Sequence, residues 1–331
     1  MSDKGENFIA GYLQAEKTSW PMPLPDDVQR QHATFLAAAT SENTRNAYQA
    51  AIRHFLGWGG KLPADESAMI HYLVSFSDKL SSRTLALRLT ALSQWHRYQG
   101  FADPCKSPEV RKLLAGIARV YAKPQKKAYP LSTSELQQIV SFLAMQEGLK
   151  PLRDSAIVQL GFYGGFRRSE LAAMQLSWLN WSQQGVVIEM PRSKTDQSGQ
   201  GIVKAIPYSG APDCPVLALK RWIADAGIRG GYVFRAINQW GQLAQNGLNP
   251  ASINLILSSA AEMADIQVSG RLSSHSLRRG MATSAYRAGA EFRDIKRQGG
   301  WRHDGTVQGY IDDAGLFEEN AVRALYEPAK R

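Results

Sequence analysis

Cysteine is nearly absent: the 331 residues hold two, Cys105 and Cys214, far apart in the chain. Neither a zinc-ligand spacing nor a disulfide framework can be built from so few, so both read as small buried hydrophobes in a reducing cytoplasm. Long apolar runs are lacking, and no stretch is expected to span a membrane. The polar, mixed-charge start from Met1 to Lys17 lacks the basic-then-apolar order of a secretion signal. Also missing are a glycine-rich phosphate loop, a His-x-x-x-His pair and a GxSxG elbow. Nucleotide, metal and serine-hydrolase chemistry therefore have no support. No internal repeat or low-complexity tract is found. Acid is in short supply too, with 29 Asp and Glu against 39 Lys and Arg, a formal net charge of +10. That excess favours a polyanionic partner, nucleic acid being the commonest, and says nothing about chemistry.

What is present fits two globular domains. The length is comfortable for two, and the 44% hydrophobic fraction suffices for real cores. Residues 1–25 read as an arm ending in Pro21, Pro23 and Pro25. Residues 26–121 carry helical periodicity throughout. One helix opens at Ser41–Thr44 and stops at Gly59-Gly60; another spans Ser82 to Tyr98, and a third runs from Pro108 to Tyr121. Residues 122–129, with three lysines, Pro124 and Pro130 just beyond, read as an extended, exposed linker, either an ordinary surface loop or a segment lying along a phosphate backbone. The second segment, 130–331, opens with a capping box, Ser132 to Glu135. A helix near Arg153 to Tyr163 follows, then a hairpin pairing Val186–Met190 with Ile202–Pro207 and carrying Lys194 near its tip. From Cys214 onward the pattern reads as helical to the end. The expected fold class is mainly α with a small antiparallel β-sheet.

A sparse series of basic residues carries the chemistry. Arg167 and Arg168 follow a glycine pair. Lys194 sits on the hairpin, His275 and Arg278 lie one helical turn apart with Arg279 adjacent, and Trp301 precedes Tyr310 by nine positions. Taken singly, each is ordinary, and a lone tyrosine is usually a packing residue. Together they suit attack on a phosphodiester. Two guanidinium groups can fork onto non-bridging oxygens and stabilise the added charge. A lysine or histidine can protonate the leaving oxygen. A tyrosine hydroxyl can act as nucleophile. No metal and no cofactor is called for.

In this order and spacing the series resembles the tyrosine recombinase and phage integrase family, most of all its simple two-domain members of the Cre and Xer type. The resemblance covers nearly the whole chain from Asp26. The first segment adds Ser41, Asn43, Thr44 and Tyr48, similar to the opening helix of the family's core-binding domain. By position, the resemblance implies Arg167 and Arg278 as the catalytic arginines, with Glu170 in support, and Lys194 as general acid. It implies His275 as the second-box histidine and Tyr310 as nucleophile. Trp301 stands where most of the family has histidine, and the nine-residue step selects it over His303. The implied architecture is a C-shaped DNA clamp made of a helical core-binding domain and a catalytic domain. Arg45, Arg53, Arg83, Arg88, Lys123, Lys126 and Lys127 become candidate phosphate contacts. The implied partner is double-stranded DNA with inverted-repeat sites, bound as a dimer per site and a tetramer in synapsis. An exchanged amphipathic C-terminal helix, Leu316 to Tyr326, would link the subunits. The implied setting is a prokaryotic or phage-encoded, nucleoid-associated protein in the cytoplasm. The arm before Asp26 is expected to be too short for an extra arm-binding domain. A type IB topoisomerase shares a similar basic set, and a non-catalytic DNA-binding accessory protein is a further alternative.

Overall fold

The computed structural model describes residues 30, 31, 34, 35, 39–123, 127–191, 201–211, 213–268, 270, 272–314, 322 and 325. They fall into two compact units that divide between residues 125 and 126. Among the described residues no helix is long and apolar enough to cross a membrane.

The first unit is helical. Helix α1 (Glu42–Gly57) starts where the Ser41 hydroxyl accepts the Thr44 N–H at 3.3 Å, satisfying one of the free donors of the first turn. Helix α2 (Glu66–Ser75), which the sequence reading did not single out, is capped in the same way by Asp65. Helix α3 (Ser82–Tyr98) and helix α4 (Pro108–Val120) follow, each with a serine N-cap, the second with proline in its first turn. Ile52, Phe55, Met69, Leu73, Leu85 and Leu92 form the core around the buried ring of Tyr72. His96 is wholly buried and fully used: Nδ1 bonds the Leu92 carbonyl at 2.8 Å and Nε2 accepts the Ala64 N–H at 3.0 Å.

The second unit is organised by helix α6 (Leu149–Tyr163), against which helix α5 (Thr133–Ala144) and later helices pack. The capping box of α5 is present, Ser132 and Glu135 each bonding the other's main chain. Helix α6 begins one turn before the expected Arg153. Pro151 falls within its first turn, where a missing N–H costs no hydrogen bond, so proline is no barrier there. A short helix α7 (Arg168–Ala173) leads into a three-stranded antiparallel sheet, β1 (Leu179–Trp181), β2 (Gly185–Met190) and β3 (Ile202–Pro207), with Val187 opposite Ala205. Helix α8 (Pro215–Asp225) follows. The expectation of helix from Cys214 to the end is wrong at this point. Residues 235–247 form a second hairpin, β4 (Arg235–Ile237) with β5 (Leu243–Gly247), antiparallel around an Asn238–Gly241 turn. Its strands are short and partly polar, so they lack the alternation that marks a strand. Helices α9 (Pro250–Met263), α10 (Ser274–Arg287), α11 (Phe292–Gly299) and α12 (Asp304–Ala314) complete the unit. The last three enclose a small separate core of Met281, Ala282, Ile295, Trp301, Val307 and Ile311.

The stretch expected to be an exposed linker is tied down in its second half. The Ala128 carbonyl accepts from Arg279, Leu131 N–H donates to the Ser276 carbonyl at 3.2 Å, and the Tyr129 hydroxyl donates to Glu135 at 2.7 Å. Both cysteines are buried as expected, and burial pushes the Cys105 thiol up to about 12.

Candidate active site

The site is assembled on the turn after α6. Gly165 adopts φ +52°, and a methyl there would lie 2.7 Å from Met281 Cε and 3.3 Å from Gly299 Cα. Glycine is therefore required both by the left-handed backbone and by the close approach. The turn delivers Arg167 to the start of α7. Its main-chain N–H donates to Glu170 Oε2 at 2.8 Å, and its Nη1 donates to Glu170 Oε1 at 2.5 Å. Nη2 reaches the Gly300 carbonyl at 3.5 Å. The buried Glu170 thus spends both oxygens on fixing one arginine, whose side chain keeps about a fifth of its surface exposed (21%).

Helix α10 brings the next groups. His275 stands exposed in its first turn. Arg278, one turn on, is buried; its Nη1 donates to the Gly165 carbonyl, and its guanidinium carbon lies 4.8 Å from the Trp301 ring centre. Arg278 and Arg167 therefore bracket the same glycine turn from two elements. Arg279 takes a different course. It donates to Ala128 O at 2.7 Å and to Asp313, and lies 5.7 Å from the Tyr310 ring. Asp313 also accepts Lys127 Nζ at 2.6 Å.

Trp301 is buried directly after α11, and Tyr310 is half-buried on α12. Their rings meet edge to face, 5.8 Å apart at 67°. A methyl added to Gly299 would stand 1.8 Å from the Trp301 ring, so that ring lies flat on bare backbone. His303 is exposed beyond it.

One residue that the sequence reading did not name joins the group. Lys204 on β3 is wholly buried, with Nζ donating to Gly164 O at 2.6 Å and Gly165 O at 3.2 Å. Burial lowers it to about 7, against the pull of Glu170 and with added repulsion from Arg278 and Arg167. The signal was present in β3, where Ile202, Lys204 and Ile206 share the inward parity of the strand. Burial, then Arg167, lowers Arg278 to about 10. His275, though its edge reaches solvent, is lowered by partial loss of water around the ring and by Arg278, Arg168 and Arg167, which favours its neutral imidazole at pH 7. The site is thus a cluster of mutually repelling cations whose carboxylates, Glu170 and Asp313, are already engaged. An anion would relieve that repulsion.

The structure brings together Arg167, Glu170, His275, Arg278, Trp301 and Tyr310. Lys194 and Lys126 lie outside the described residues, as do the arm 1–25 and nearly all of 315–331. Among the candidate phosphate contacts, Arg53, Arg83 and Lys123 are exposed. Arg45 donates to the Thr40 carbonyl. Arg88 bonds the His54 ring at 2.8 Å and the Tyr72 hydroxyl at 3.2 Å, so part of its donor set is already committed.

Residues 130–315 match the model of the phage integrase family. An integrase/recombinase XerD homolog from Selenomonas ruminantium is 34% identical over 300 residues, covering 88% of this chain and 87% of the relative. Among solved structures, a lambda integrase dimer bound to a COC′ core site shares 16% identity at a TM-score of 0.60. It covers 87% of this chain and 76% of that one. The XerH site-specific recombinase in a post-cleavage complex with palindromic difH substrate shares 17% identity at a TM-score of 0.59, covering 80% and 73%. A lambda integrase tetramer bound to a Holliday junction has the same fold, with 17% identity, a TM-score of 0.56 and coverage of 87% and 77%.

Proposed function

We propose that this chain, which belongs to the phage integrase family and is a site-specific DNA recombinase, cuts DNA by direct attack of Tyr310 on a backbone phosphate. The Tyr310 oxygen forms a bond to phosphorus as the P–O5′ bond breaks, leaving a 3′-phosphotyrosyl link and a free 5′-hydroxyl. The phenol proton leaves as the oxygen attacks, and the neutral imidazole of His275 is suited to accept it. The departing 5′ oxygen takes a proton from Lys194. Arg167 and Arg278 fork onto the non-bridging oxygens and bind the extra negative charge of the pentacovalent state more strongly than the ground state. Trp301 supports both partners, with its face beneath the Arg278 guanidinium and its ring edge to face with Tyr310. Because the phosphoester is exchanged and not hydrolysed, a 5′-hydroxyl from a second strand can reverse the step without an external energy source.

The observation that carries this reading is the placement of Arg167 and Arg278. They arrive from different elements at one glycine turn, beside Tyr310, in a site with more positive charge than its carboxylates can balance.

The partner is double-stranded DNA with inverted-repeat sites, and Arg45, Arg53, Arg83, Arg88, Lys123, Lys126 and Lys127 are assigned to its phosphates. The protein acts as a dimer on each site and as a tetramer when two sites are joined. The dimer and tetramer of lambda integrase on DNA support this assembly by analogy of fold. The subunits are linked through the segment after Asp313, in which Val322 and Leu325 are exposed.

The test uses a nicked duplex built on the sequence that the protein selects from a random pool. Escape of the short fragment below the nick traps the adduct. Wild type is expected to give a band that survives denaturation. Tyr310→Phe should bind the same duplex and give none; an adduct in that variant would overturn the assignment.

A further inference from the structure

We propose that Lys204 is a positioning residue for the cleavage step: its buried side chain pins the Gly164–Gly165 turn so that Arg167 and Arg278 face one phosphate. The inference rests on those two arginines gripping the scissile phosphate, and it assigns a task to a residue that does not touch DNA.

The geometry is specific. Lys204 comes from β3, the turn follows α6, Arg278 comes from α10, and Gly300 ends α11. Nζ bonds both carbonyls of the glycine pair, at 2.6 and 3.2 Å. The second of these carbonyls also accepts Arg278 Nη1, so one oxygen couples the lysine to the catalytic guanidinium. The Lys204 stem passes beneath Gly300, where an added methyl would lie 3.9 Å from Cε, and the Gly300 carbonyl takes Arg167 Nη2. The third face of the amine lies over the Phe166 ring, 4.6 Å from its centre. Beside it, Gln298 bridges Tyr163 O and Ala205 O at 3.0 and 3.2 Å, joining α11 to the same strand and turn. The charged groups facing Lys204 are Glu170, Arg278 and Arg167. A plain packing role would be served by leucine or methionine, which bury without a desolvation cost. A buried amine that donates to the two carbonyls of the turn that leads into Arg167, one of them shared with Arg278, is explained by positioning.

The variant is Lys204→Met, which keeps the volume and removes the donors. Single-turnover cleavage of the nicked duplex at saturating DNA gives two readouts. The amplitude counts folded, competent protein. The first-order rate constant reports how well the competent fraction is aligned. Displacing a catalytic group by about 1 Å costs on the order of 100-fold, so at saturating DNA the rate constant is expected to fall by roughly that factor while the amplitude holds. A fall in amplitude at an unchanged rate constant would overturn the proposal in favour of mere structural support, as would a wild-type rate constant. Should the Met variant melt early, Lys204→Gln, with two N–H donors and no charge, allows the same comparison. Failure of wild type to form any adduct would instead overturn the Tyr310 reading.

Discussion

DNA binding should draw protons onto the active site. The perturbation is the arrival of a phosphate charge among groups that the free protein holds below their ordinary pKa values. For Lys204, burial is the main cause, opposed by Glu170 and reinforced by Arg278 and Arg167, and the result is about 7. A unit charge about 4 Å away at an effective dielectric of about 20 is worth roughly 4 kcal/mol, or roughly three pKa units. Allowing half of that for a phosphate beyond the turn carbonyls lifts Lys204 to about 8.5. At pH 8 the amine is then about one-tenth protonated in the free protein and about three-quarters protonated in the complex, an uptake of roughly 0.7 proton. The sign follows from the bound state holding more protons, so affinity rises as pH falls from about 8.5 toward 7. By pH 5.5 Lys204 is charged in both states and its share vanishes, leaving His275, also lowered in the free protein, as the group that gains a proton there. Calorimetric titrations of the selected duplex in HEPES and in Tris, which differ in ionisation enthalpy, read the number directly. A binding enthalpy independent of buffer at pH 8 would refute the reasoning. So would an uptake that survives unchanged in Lys204→Met.

Gly299→Ala drives a methyl into the face of the Trp301 ring, 1.8 Å from its nearest atom, and should cost about 1–3 kcal/mol through forced repacking of the small core under Tyr310. Thermal denaturation is expected to show a loss of several degrees, and an unchanged Tm would contradict the packing described. Asp313→Asn should cost about 1–3 kcal/mol, because it strips the buried Arg279 guanidinium of its only charged partner among the described residues. Lys127→Met should cost under about 1 kcal/mol, since that partner of Asp313 is exposed. Chemical denaturation of the pair decides; equal losses would mean that Arg279 does not depend on Asp313.

The helices were legible where side chains at their ends state the boundary. Ser41, Ser132 with Glu135, and Pro108 mark starts close to those the structure shows. The second hairpin was not legible. β4 and β5 have three and five residues, and their burial follows no strict alternation, so neither the period nor the composition separates them from loop. They are held by what they pack on: Arg153, buried on α6, donates to the Arg235 carbonyl at 3.1 Å. Tertiary contact made that hairpin, and no local pattern announces such a contact.

At the site, the order of residues located the arginines, and spacing could take the argument only to a choice between neighbours. Arg278 and Arg279 are adjacent in sequence and both buried, yet their partners separate them. One joins the glycine turn and Trp301; the other joins Asp313 and Ala128. A helix turns about 100° per residue, so consecutive arginines must face different neighbours, and only the fold reveals which neighbours those are. Lys204 was missed for a related reason. A lysine in a strand reads as an outward, solvated residue, because burying an unpaired ammonium is costly. Here the cost is offset by two carbonyls that a left-handed glycine turn points inward. Those carbonyls are free to accept only because the chain breaks its helix between Tyr163 and Arg168. The break that presents Arg167 therefore also creates the socket for Lys204, and the two residues, 37 positions apart in the chain, are consequences of one local event.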